Sequence, residues 1–135
     1  MITRLSHATI YVLNQDEALD FYTGKLGFEV RTDVRMGDYR WLTVGPKEQP
    51  ELEFILSAIT PGMMFDDASA TKLKELVASG KLGMGVFETP DCLATYEELK
   101  GKGVVFYGEP KPQPYAAYEV VFKDNSGNWF SLCQR

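Results

Sequence analysis

The side chains of this sequence best suited to chemistry are a histidine near its start and a glutamate set among apolar neighbours. His7 lies in the alternating run Leu5 to Leu13, and Glu53 in the run Glu51 to Ser57, out of phase with Leu52, Phe54 and Leu56. A lone histidine on a strand is more often a hydrogen-bonded structural residue than a ligand, but a contact between it and Glu53 would leave a general acid/base pair. A carboxylate in apolar surroundings also needs a partner, because burying it alone is costly. His7 is the only histidine, which excludes His-x-x-x-His zinc helices, multi-histidine sites and the two-histidine iron triad. Cys92 and Cys133 form no Cys-x-x-Cys pair and read as buried thiols. There is no Gly-x-Ser-x-Gly elbow and no phosphate-binding Gly-x-x-x-x-Gly-Lys loop. Gly83-Met84-Gly85 meets Glu88 where a dinucleotide fingerprint requires glycine.

The elements that must carry these residues follow from periodicity. In Leu5 to Leu13, the residues Leu5, His7, Thr9 and Tyr11 alternate with Ala8, Ile10 and Val12, the period-two pattern of a strand with one apolar face. Asn14-Gln15-Asp16 offers N-cap side chains to a helix whose stripe is Ala18, Phe21, Tyr22 and Leu26, ended by Gly27. Phe28 to Val34, Tyr39 to Val44 and Glu51 to Ser57 read as three strands, the first two joined by a Met36-Gly37-Asp38 turn. A helix over Ala68 to Ala78 follows the Pro61-Gly62 break.

The opening order then returns: a strand over Gly83 to Glu88, a helix begun by Pro90-Asp91, and strands over Val104 to Tyr107, Tyr115 to Lys123 and Trp129 to Cys133. A shift of 77 residues carries His7 onto Met84 and Gly27 to within one residue of Gly103. This reads as a duplication: repeat one over 1–58, a connecting helical segment over 59–80 and repeat two over 81–135. The expected class is α+β, with two βαβββ repeats forming paired curved mixed sheets around a cup and the helices outside.

At 135 residues, the chain is long enough for one domain with an ordinary core. Fourteen Lys and Arg against nineteen Asp and Glu give a net charge of −5, without the basic run that nucleic acid or an anionic membrane requires. The first residues lack a secretory pattern and no apolar run reaches the length of a membrane span, so a cytoplasmic location is expected.

The sequence resembles the vicinal oxygen chelate superfamily, which includes glyoxalase I, bleomycin-resistance proteins and extradiol dioxygenases. The matching segments are Leu5-Ser6-His7-Ala8, Ala18-Leu19-Asp20-Phe21-Tyr22 through Leu26-Gly27-Phe28, Glu51-Leu52-Glu53, and Phe122-Lys123-Asp124-Asn125-Ser126-Gly127-Asn128. In metal-using members of that family a cation is held from the first and fourth strands of each repeat. Carried over, those positions here are His7, Glu53, Met84 and Ser131. A thioether and a neutral hydroxyl replace two ligands, which implies an incomplete metal site formed by His7 and Glu53 unless Glu88 or Glu119 contributes.

Two functions are therefore expected to compete. The first is binding of a small organic ligand with no cofactor, in a cup lined by Tyr11, Tyr39, Trp41, Met84, Tyr118, Phe122, Trp129 and Ser131. Aromatic residues in strands are core residues first, so about half of the six aromatics are expected to be buried on the helix side or at an interface. The second is a lyase, isomerase or dioxygenase using Zn, Ni, Mn or Fe at His7 and Glu53 to polarise vicinal oxygens of a substrate. A third possibility is an interaction module. The resemblance also implies a homodimer. Met63, Met64 and Phe65 are placed as a lid, an intersubunit contact or plain packing.

Overall fold

The computed structural model describes residues 1–62 and 64–135, so Met63 lies outside the described residues. The chain divides into two units, Met1–Glu75 and Leu76–Arg135. The segment expected to connect the repeats is thus shared between them, with the boundary inside its helix. Among the described residues no helix is long and apolar enough to cross a membrane.

The first unit holds β1 (His7–Val12), α1 (Gln15–Asp20), β2 (Glu29–Met36), β3 (Tyr39–Gly45) and β4 (Glu53–Ala58), in the sheet order β1-β4-β3-β2. β1 and β4 run parallel, and the other pairs antiparallel. Asn14 caps α1 by accepting the Glu17 N–H at 2.8 Å. The expected single helix changes pitch: Phe21–Lys25 is a π-helical turn, with the Leu26 N–H bonded to the Phe21 carbonyl at 3.2 Å. The wider turn lets both adjacent rings, Phe21 and Tyr22, become buried beside Ala18. Ile10, Val12, Leu42, Val44 and Leu56 are at most 1% exposed and form the sheet side of this core. β2 is an edge strand whose sequence, Glu-Val-Arg-Thr-Asp-Val-Arg-Met, sets charges beside half-exposed valines.

α2 (Asp67–Ala78) spans the boundary, and the Asp66 carboxylate accepts the Ser69 N–H at 2.7 Å. The second unit then holds β5 (Gly83–Glu88), α3 (Cys92–Gly101), β6 (Val105–Phe106), β7 (Lys111–Gln113), β8 (Ala116–Lys123) and β9 (Trp129–Gln134). Its sheet order, β5-β9-β8-β6, repeats that of the first unit, again with a parallel pair between first and last strands. β7, in the proline-rich stretch between the expected strands Val104 to Tyr107 and Tyr115 to Lys123, is an addition: Lys111 and Gln113 pair with β8 while Pro112 falls between them. Its core is a chain of rings. Phe87 and Phe130 stack at 4.7 Å, Phe122 lies 5.7 Å from Phe130, and Phe106 bridges Phe122 and Tyr96.

The turn before β9 explains the signature around Asp124. The buried Asp124 Oδ1 accepts the N–H groups of Ser126, Gly127 and Asn128, each at 2.9 Å, while Oδ2 accepts from the Asn128 side chain. Gly127 has φ +120°, and a Cβ there would stand 2.1 Å from the Val77 carbonyl oxygen, so no other residue fits. Asp124→Ala strands four donors inside the protein, three backbone N–H groups and the Asn128 amide. It is expected to cost about 3 kcal/mol, read as a fall in Tm of roughly 10 °C in thermal unfolding.

Candidate functional site

Alternation in β1 turns Ile10 and Val12 towards the α1 side and leaves His7, Thr9 and Tyr11 on the other. Because β4 pairs with β1 in parallel, His7 stands opposite Glu53 and Tyr11 opposite Ser57. His7 Nε2 lies 3.3 Å from Glu53 Oε2, and His7 Nδ1 lies 2.9 Å from Ser6 Oγ. The fully buried Thr43 donates its hydroxyl to Glu53 Oε1 at 2.7 Å. Trp41, two residues earlier on β3, brings its ring to 6.1 Å from the imidazole. The structure thus brings the two expected catalytic residues together and adds Thr43. Thr43 was legible only as a β3 residue in phase with Trp41.

Farther along the same strands is a pocket of about 430 Å³. Tyr11, Tyr39, Met64 and Phe65 supply apolar walls, with Tyr11 and Phe65 edge to face at 5.5 Å. Asp38 and Arg40 are its charged members. Each nitrogen of the Arg40 guanidinium meets a carboxylate, Asp33 through Nε and Nη2 at 2.9 Å and Asp16 through Nη1 at 2.7 Å. Hydrogen bonding to Arg40 holds the Asp33 carboxyl below its usual pKa, and the Asp33 bond likewise raises that of Arg40.

In the second unit the corresponding face carries Met84, Val86, Ser131, Cys133 and Glu119, since Val86 pairs with Ser131 and Glu119 with Cys133. Met84 sits at an irregularity between Gly83 and Gly85, so the two carried-over positions are not direct partners as His7 and Glu53 are. The Ser131 hydroxyl donates to Glu119 Oε2 and the Tyr115 hydroxyl to Oε1, while the Cys133 thiol lies 3.6 Å from Oε2. The bonds from Ser131 and Tyr115 hold the Glu119 carboxyl below its usual pKa, and the same Tyr115 contact pushes the phenol up. Glu88 is paired instead with Arg135 at 2.7 Å.

Two expected lining residues move. Phe122 is 1% exposed in the α3-side core, and the register puts Tyr118 on that same face, because Glu119, Val121 and Lys123 take the alternate positions. Trp129 remains on the Ser131 face, its ring laid across Gly83.

A divalent ion in the first unit would meet one imidazole nitrogen and one carboxylate oxygen, since Glu53 Oε1 is held by Thr43. Among the described residues no three His, Cys, Asp or Glu side chains converge. The Ser131 hydroxyl is committed to Glu119, and Met84 offers only a soft thioether. Catalytic zinc takes three protein ligands and harder cations take more oxygens, so this donor set does not fit a catalytic divalent ion.

Two outcomes follow. The depressed Asp33 pKa contributes stability that is present above about pH 4 and lost as pH falls through the lower folded value. Asp33→Asn is therefore expected to flatten the acid limb of a stability-versus-pH curve measured by urea unfolding. A Cβ on Gly83 would stand 2.2 Å from the Trp129 ring. Gly83→Ala is expected to cost about 1–3 kcal/mol and to shift the tryptophan emission maximum.

The fold recurs in known proteins. The chain is 49% identical to the protein in the crystal structure of UcmS2, with each chain fully covered and a TM-score of 0.94. TnmS3, an antibiotic binding protein from Streptomyces sp. CB03234, is 28% identical with a TM-score of 0.76, over 98% of this chain and 96% of that one. An uncharacterised Bacillus subtilis (strain 168) protein, YurT, is 36% identical over 94% of this chain and 95% of its own. Residues 4–132 match the family model for the Glyoxalase/Bleomycin resistance protein/Dioxygenase superfamily, and the chain belongs to that superfamily.

Proposed function

We propose that this protein binds a small organic molecule and sequesters it without chemical change, the ligand class being antibiotic-like and aromatic. What carries this reading is the donor set around Glu53: one carboxylate oxygen is held by Thr43, and a single imidazole faces the other. The likeness to TnmS3, described as an antibiotic binding protein, supports the same reading. Tyr11, Tyr39 and Trp41 supply ring surfaces in the first unit. Trp129, with Met84 and Ser131, supplies the contact surface of the second. His7 and Glu53 serve as hydrogen-bonding groups for the ligand. The reading includes a homodimer acting in the cytoplasm.

The test is titration with a panel of aromatic antibiotics, followed by tryptophan fluorescence and calorimetry, with chromatography of the recovered ligand and metal analysis of the same sample. At least one compound is expected to bind with micromolar or tighter affinity and to be recovered intact. Trp41→Ala and Trp129→Ala are each expected to weaken binding about tenfold, about 1.4 kcal/mol. Light scattering is expected to give the mass of two chains. Stoichiometric zinc, nickel, manganese or iron, lost in Glu53→Gln together with turnover, would establish the metal-dependent enzyme instead.

A further inference from the structure

The pocket at the far end of β1 and β4 has a charge pattern of its own. Its guanidinium is unavailable to an anion: Arg40 is only 8% exposed at the side chain, and Asp33 and Asp16 occupy its Nε, Nη1 and Nη2. Asp38, at the turn between β2 and β3, is exposed, and among the described residues it has no ion-pair partner. Asp33 and Asp16 neutralise Arg40 from outside the pocket lining, with Arg35 also acting on Asp33, so Asp38 is the one carboxylate among the lining residues, in company with the rings of Tyr11, Tyr39 and Phe65. Aromatic faces attract cations, and an uncompensated carboxylate at a partly enclosed apolar pocket reinforces that attraction while repelling anions.

Resting on the ligand-binding reading above, we propose that this pocket is the seat for a flat aromatic cation, with Asp38 as the residue that sets its preference for positive charge. The rings of Tyr11 and Phe65, already edge to face, form one wall, and Tyr39 and Met64 are exposed lining residues of the pocket. A volume of about 430 Å³ suits a ligand of two to three fused rings better than an extended peptide. A carboxylate or phosphate ligand would enter a pocket whose cation is already neutralised, and would lose its hydration without gaining an ion pair.

The experiment uses three probes of equal ring count: proflavine as the cation, acridone as the neutral compound and anthracene-9-carboxylate as the anion. Each is titrated calorimetrically into the full chain at low and at physiological salt. Proflavine is expected to bind at least tenfold more tightly than the anion, with the ratio shrinking as salt screens the exposed charge. Asp38→Asn is expected to weaken proflavine at least fivefold more than acridone, and Asp38→Glu to restore the preference. Tyr39→Phe, which keeps the ring, is expected to bind proflavine better than Tyr39→Ala. Equal binding of cation and anion, or an unchanged ratio in Asp38→Asn, overturns the proposal. If the probes bind but respond to Trp129→Ala and not to Asp38 or Tyr39 substitutions, this seat is wrong while ligand binding stands. If no probe binds while the antibiotic panel does, the seat again falls alone; if neither binds, both readings fall.

Discussion

The parallel pairing of the first and last strands of each unit is what everything else at the candidate site depends on. In the first unit it sets His7 beside Glu53 and Tyr11 beside Ser57. What fixes that register is the opposite face, where Ile10, Val12, Leu42, Val44 and Leu56 are sealed from water. A slip of β1 by one residue would send Ile10 and Val12 to the solvent side and bring His7 inside. With roughly 1.5–3 kcal/mol at stake for each apolar side chain, exposing these two would cost about 3–6 kcal/mol, a large share of the stability of an ordinary domain, about 5–15 kcal/mol. The polar constellation is positioned by packing in which it takes no part.

The two units solve the same electrostatic problem with their partners exchanged. In the first, the carboxylate of Glu53 is on the last strand and the hydroxyl of Thr43 comes from the neighbouring β3. In the second, the hydroxyl of Ser131 is on the last strand and the carboxylate of Glu119 comes from the neighbouring β8. Each half therefore keeps one half-buried carboxylate satisfied by a hydroxyl one strand away. Only the first half adds an imidazole. The second adds Tyr115 and a thiol, donors that hold the negative charge in place.

Much of the fold was legible because local rules and tertiary structure agree. Asn14 and Asp91 cap the helices that their position in the sequence announces, and the apolar alternation in β1 survives as burial. The π-helical turn was hidden, because Ala18, Phe21 and Tyr22 satisfy an α-helical stripe as well as a widened one. β7 was hidden because three prolines signal a loop unless the pairing leaves their nitrogens outside the ladder. At the site, alternation gave the strand faces of His7 and Glu53, but their pairing followed only from the family resemblance, because alternation does not say which strands are neighbours. Tyr118 and Phe122 were misplaced because an aromatic in a strand does not reveal its face; that required the β8–β9 register. The pocket at Asp38 and Tyr39 could not be read, since it joins a turn, a helix start and a segment after β4.

The edge strand β2 has a bearing on how this protein behaves when concentrated. Eight residues long and carrying Val30, Val34 and Met36 about half exposed, it has the makings of a template on which another chain could nucleate cross-β growth. Glu29, Arg31, Asp33 and Arg35 interrupt that run at every second position, and two of them are tied down, Arg31 to the Pro46 carbonyl and Asp33 to Arg40. They act as gatekeepers: an incoming strand would have to desolvate alternating charges before it could form its first backbone bonds. The same arginine–aspartate clasp that neutralises Arg40 thus also fixes one of the charges that an added strand at this margin would have to desolvate.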